Sequence, residues 1–111
     1  MNIEVHGFFV SEVNMSLEEY RDEIDRLDAD IVKLINRRAF TVREIGLLKA
    51  SKGDPVIDNA REAEVLGNAS ARAGKLIDPN VIQRIFAELL VDSKRIQERA
   101  ASDLERIKSA T

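Results

Sequence analysis

The chain has 111 residues, one domain's length, with 17 basic and 20 acidic side chains, a net charge of −3, and aromatic residues at only 5%. Cysteine is absent and His6 is the single histidine, so disulfide frameworks, thiolate zinc sites and cysteine nucleophiles are excluded and any histidine-based triad or metal site would have to use a tail residue. The acidic balance argues against nucleic acid or an anionic membrane as partner; no run reaches a membrane span and the N-terminus has no basic region followed by an apolar one, so a cytoplasmic protein is expected.

Residues 1–15, MNIEVHGFFVSEVNM, show no helical period. They are expected to form an N-terminal extension that is disordered or docks the short apolar patch Phe8, Phe9 and Val10, with His6 as a tail residue and Met15 as a candidate original start. The helical domain is expected over residues 16–111. It opens at Ser16, which forms a capping box with Glu19 and starts one long amphipathic helix to about Ser51. Leu17, Tyr20, Ile24, Leu27, Ile31 and Leu34 recur in steps of three and four, and Val42, Ile45 and Leu48 resume the rhythm. Continued from Leu34, the same spacing brings Arg38 and then Lys49 onto the inward face. An unpaired charge in a helix interface is costly, so two inward cations require an anionic partner, either protein carboxylates or a ligand. A helix of this length spans ~54 Å, whereas a compact chain of this size has a radius of gyration of ~13 Å. Part of the seam is therefore expected to be buried against a second copy, in a dimer of antiparallel or intertwined helices.

The stretch KGDPVIDN, with Gly53 and the Asp54-Pro55 pair, is the strongest breaker. Asp58 then occupies an N-cap position ahead of a second helix, NAREAEVLGNASARAG, whose stripe is Ala60, Ala63, Leu66, Ala69 and Ala73 and whose stop is Gly74. Asp78-Pro79 pairs an N-cap with proline at the first helical position and opens the third helix. Its stripe is Ile82, Ile85, Phe86, Leu89, Leu90, Ile96, Ala100, Leu104 and Ile107, interrupted on the same face by Ser93 and Gln97.

The fold class that follows is all-α: a three-helix chain with one long N-terminal helix. All three helices carry polar groups at or near inward positions: Arg38 and Lys49 on the first, Asp58, Arg61 and Glu62 around the start of the second, Ser93 and Gln97 on the third. Singly, each has a structural explanation, as do Arg21 with Asp25 one turn on, Asp58 as a cap only, and Arg61 and Glu62 as a solvated face. Together, inward cations, two neutral hydrogen-bonding residues and few carboxylates describe a pocket for a small polyanion.

These residues resemble the all-helical chorismate mutases over residues 17 to about 100. The likeness is carried by YRDEIDRLDADIVKLINRR followed by KAS, by PVIDNAREAEVL, and by IFAELLVDSKRIQ, in order and in spacing, with eight polar positions agreeing. The resemblance implies an intertwined homodimer with two sites, each built mainly from one chain. It implies rearrangement of chorismate to prephenate in aromatic amino acid biosynthesis, a pericyclic step that breaks an ether C–O bond as a C–C bond forms and uses no cofactor or metal. Catalysis then rests on restraint of the substrate and on stabilising charge that builds on the ether oxygen.

By the same resemblance Arg38 and Arg21 bind the two substrate carboxylates, with Arg21 supplied by the other protomer. Lys49 and Gln97 donate to the ether oxygen. Glu62, with Asp58 nearby, holds the ring hydroxyl, Ser93 assists a carboxylate, and Arg61 supports the charge network. The chain departs from the pattern in its N-terminal extension and in the SKGDP turn. Two alternatives stand beside this reading. One is an isochorismate-pyruvate lyase of the same fold, which Glu62 disfavours; the other is a non-catalytic regulatory dimer, which the presence of Arg38 and Lys49 disfavours. Docking to another shikimate-pathway enzyme is compatible with all three.

Overall fold

The computed structural model of the chain describes residues 2–5, 8–11 and 15–110. Two short strands, β1 (Asn2–Val5) and β2 (Phe8–Ser11), precede three α-helices: α1 (Leu17–Lys52), α2 (Asn59–Ala71) and α3 (Pro79–Ala110). The strands pair antiparallel, with Asn2 opposite Ser11 and Val5 opposite Phe8. Within the extension, for which a disordered or docked segment is expected, β-branched and aromatic residues are concentrated in two adjacent runs of four and favour strand pairing. His6 lies outside the described residues. Among the described residues no helix is long and apolar enough to cross a membrane.

The helix starts follow local chemistry. Ser16 Oγ accepts from the Glu19 amide at 3.2 Å and opens α1. Asp78 Oδ1 accepts from the Asn80 amide at 2.9 Å, and Pro79 begins α3. Helix α2 ends at Ala71, short of Gly74: the amides of Arg72 and Ala73 turn back to the carbonyls of Ala69 and Ser70 at 3.1 and 3.2 Å, tightening the last turn before the glycine is reached. Gly74 sits beyond the helix at φ +79°.

The chain divides into two compact units, one ending at Asn36 and the other beginning at Arg37. In the first, the regular seam of α1 is open: Leu17, Tyr20, Ile24, Leu27, Ile31 and Leu34 are each between 41% and 62% exposed. In the second, the last turns of α1 pack with α2 and α3. The face of α1 turned inward there is Arg38, Ala39, Val42, Gly46 and Lys49, whereas Ile45 and Leu48 are exposed. Arg38, Val42 and Lys49 continue the spacing of the seam as expected, with Ala39 and Gly46 widening the inward face on one side.

Gly46 sets the approach of α1 to α3. A Cβ at this position would lie 2.8 Å from Gln97 Cα and 3.1 Å from both Gln97 O and Ala100 Cβ, so only a residue without a side chain lets the two backbones come this close. The core around this contact is Val42, Ala69, Leu90 and Ala100, with Ser93 and Gln97 buried among them.

The stripe expected on α2 holds at Leu66, Ala69 and Ala73 but not in the first turns. Ala60 and Ala63 are exposed, while Glu62, Val65, Leu66, Ala69 and Ser70 are wholly or partly buried. Polar ties join this face to α3, where Gln83 Nε2 donates to Ser70 Oγ at 3.3 Å and Lys94 pairs with Glu62.

Candidate active site

Lys49 stands in the last turn of α1 and is held at both ends. Its carbonyl accepts from the Asp54 amide at 2.9 Å while the Gly53 amide reaches the Ala50 carbonyl at 3.3 Å, the paired bonds of a Schellman cap, with Gly53 at φ +72° supplying the left-handed residue. Its ammonium donates to the Val56 carbonyl at 3.0 Å. A lysine carries three N–H donors, so two remain for another acceptor.

Arg38 and Ser93 meet across α1 and α3. Arg38 Nη1 donates to Ser93 Oγ at 2.8 Å, and Ser93 Oγ donates to the Leu89 carbonyl one turn back at 2.6 Å. The hydroxyl's single proton is thus committed to its own helix, and its lone pairs orient the guanidinium. Gln97 lies one turn beyond Ser93 and is 9% exposed; its Oε1 is buried with no donor among the described residues. A buried acceptor without a donor costs about 1–3 kcal/mol, and the Nε2 of the same amide is the atom able to donate to a ligand oxygen.

The start of α2 completes the arrangement. Asp58 Oδ1 accepts from the Arg61 amide at 3.0 Å and so caps the helix. Glu62, in the first turn, pairs with Lys94 of α3 at 3.1 Å. Arg61 pairs with Glu64.

One cavity of about 150 Å³ is lined by Arg38, Lys49, Asp58, Arg61, Glu62, Lys94, Ser93 and Gln97 over an apolar wall that includes Val42 and Leu90. Seven of the eight residues singled out from the sequence therefore line one space. The eighth, Arg21, belongs to the unit ending at Asn36; it pairs with Glu18 at 3.1 Å, not with Asp25, and its side chain is 63% exposed. Lys94 was not anticipated. Its signal was the helical spacing from Leu90 through Ser93 to Gln97, which puts residue 94 on the edge of the same face. A neighbouring cavity of about 410 Å³ shares Arg38, Arg61 and Val65 and adds Arg72, Ile82 and Phe86. Four cations against two carboxylates leave the smaller cavity with two net positive charges. Such a space suits a dianion, with a forked guanidinium for a carboxylate, a carboxylate for a hydroxyl, and an ammonium and an amide on facing helices for an oxygen between them.

The sequence profile of the family described as chorismate mutase type II matches residues 20–98. The chain belongs to that family. Among solved chorismate mutases, the form II structure from Thermus thermophilus superposes with a TM-score of 0.71 at 31% identity, covering 75% of this chain and 94% of that one. The chorismate mutase from Helicobacter pylori, solved in complex with prephenate, superposes with a TM-score of 0.68 at 30% identity, covering 78% and 93%. Among curated chorismate mutases, the intracellular enzyme of Mycobacterium tuberculosis is 38% identical over 50 residues, 45% of this chain and 48% of the relative. The bifunctional chorismate mutase/prephenate dehydratase of Aquifex aeolicus is 41% identical over 49 residues, 44% of this chain and 14% of the relative. The matches thus span about half, or less, of the length of these curated relatives.

Proposed function

We propose that the protein catalyses the rearrangement of chorismate to prephenate, and the single observation that carries this reading is the convergence of Arg38, Lys49 and Gln97 on one cavity. The reaction transfers no proton to an external group and needs no nucleophile. It needs the substrate held compactly, with donors aimed where the breaking ether bond gathers negative charge. Arg38, steadied by Ser93, takes one carboxylate. Lys49 offers its two remaining N–H groups, one toward the ether oxygen and one toward a carboxylate, and the Gln97 amide donates to the ether oxygen from the opposite helix. Glu62 accepts the ring hydroxyl beside Asp58, and Arg61 adds to the positive field.

In the same reading the active form is an intertwined homodimer, and Arg21 of one protomer binds the second carboxylate in the site of the other. Support comes from the open seam of α1, since an exposed apolar stripe of this length marks a surface made to be covered. A cytoplasmic location suits the cysteine-free sequence.

The test is incubation of purified protein with chorismate and, separately, with isochorismate, with product identification. Prephenate from chorismate supports the proposal; pyruvate from isochorismate alone, or turnover of neither, overturns it. Lys49→Ala is expected to lower kcat by about 10²- to 10³-fold in a protein that keeps its helices, the usual cost of losing one preorganised oxyanion donor.

A further inference from the structure

Lys94 is the charged residue of the cavity that the reaction has not used. Its ammonium joins α3 to α2 through Glu62 at 3.1 Å, with the two side chains 38% and 25% exposed. Ion pairs on open surface contribute little, because water screens them and the long side chains lose entropy. This pair lies in the cavity wall, where the same Glu62 carboxylate shares a space with Arg38, Lys49 and Arg61.

A carboxylate there without a partner has two damaging choices. It can pair with Lys49 and take a donor from the ether oxygen, or stay free and repel the dianionic ligand. Arg61 does not prevent this, being paired with Glu64. Lys94, one residue past Ser93 and three before Gln97, supplies a cation from outside the set that holds the substrate.

We infer that Lys94 is a positioning residue of the active site: it anchors the Glu62 carboxylate for the ring hydroxyl and keeps Arg38 and Lys49 free for the substrate dianion. This rests on the assignment of chorismate as substrate. Its signature is that Lys94 acts through Glu62, so that its loss matters only while residue 62 carries a charge.

The test compares Lys94→Met, Lys94→Arg, Glu62→Gln and the double variant Lys94→Met/Glu62→Gln by steady-state kinetics, calorimetric binding of prephenate and thermal melting. Lys94→Met is expected to raise KM and to weaken prephenate binding by about three- to tenfold, between the effects of exposed and of buried charge pairs, with a smaller fall in kcat. Lys94→Arg is expected to restore most of the loss, and the double variant to be no worse than Glu62→Gln alone. Unchanged KM and binding in a folded Lys94→Met protein, or an equal loss in the Glu62→Gln background, would overturn the inference. Prephenate binding separates this from the substrate assignment: a parent protein that binds prephenate yet does not turn over chorismate sinks the assignment, while the binding series still judges Lys94.

Discussion

Arg38 and Ser93 are joined across α1 and α3 by a 2.8 Å hydrogen bond in which the guanidinium donates and the hydroxyl, its proton already given to Leu89, accepts. Ser93 therefore acts on the orientation of Arg38. Ser93→Ala is expected to raise KM by about three- to tenfold and to change stability by no more than about 1 kcal/mol, the net worth of such a bond. In an Arg38→Lys background the same change should cost little. A full additional loss there would show that Ser93 touches the substrate directly.

Gly46→Ala places a methyl group 2.8 Å from a backbone atom of Gln97, which cannot rotate away. The helices must part or the chain must strain, at an expected cost of about 1–3 kcal/mol in stability. Because Lys49 and Gln97 lie on the two helices concerned, kcat should fall further than stability alone explains, toward the ~100-fold that a 1 Å misplacement costs. Gly67→Ala is the contrasting case: no atom lies within 4 Å of its would-be Cβ, so a gain of up to about 1 kcal/mol is expected. Thermal melts and kinetics on both proteins check the pair.

Gln97→Glu tests the donor opposite Lys49. An amide donates at any ordinary pH, whereas a carboxyl donates only when protonated and as an anion repels charge building on the ether oxygen. The parent protein should keep a flat rate profile between about pH 5 and 8, and the variant should lose rate as pH rises through the introduced carboxyl's titration. Equal activity of the variant at both ends would remove residue 97 from the ether oxygen.

Arg21→Ala and Lys49→Ala proteins, each inactive alone, should recover activity after subunit exchange, because in the proposed dimer a mixed pair would hold one site with both residues intact. Samples shown to have exchanged that remain inactive would refute the cross-protomer role of Arg21.

Asp103 accepts hydrogen bonds from Arg106 and Arg99, and the Arg106 bond chiefly holds its carboxyl below the ordinary value of 3.8. In the folded state the group binds fewer protons than in the unfolded one, so its stabilisation is present above about pH 4 and fades as pH falls through the folded-state titration. Acid melts should show a smaller drop in Tm below that pH for Asp103→Asn than for the parent. Both arginines are largely exposed, so the effect is modest and reduced by salt.

The starts of α1 and α3 were legible because Ser16 and Asp78-Pro79 act on their immediate neighbours. The end of α2 was not, since the amides of Arg72 and Ala73 close the helix before the glycine that marked it. The most regular apolar pattern of α1 suggested a single inward face. Within the chain that face holds at Arg38, Val42 and Lys49 but takes in Gly46, which has no side chain to signal burial, while Ile45 and Leu48 stay exposed. Seven of the polar positions could be grouped from spacing and resemblance together. Lys94 escaped because a lysine among charged neighbours on α3 looks like solvated surface, and its pairing with Glu62 depends on the packing of α2 against α3, which spacing along either helix alone does not show.

The turn after α1 has a consequence for how this sequence can change. Surface connections ordinarily drift in length and composition with little effect elsewhere. Here residues 53–56 grip Lys49 by its carbonyl and by its ammonium, so an inserted or deleted residue would shift the lysine itself. Loop length in this segment is therefore coupled to the placement of Lys49, and shuffling it between relatives amounts to moving that ammonium from a distance.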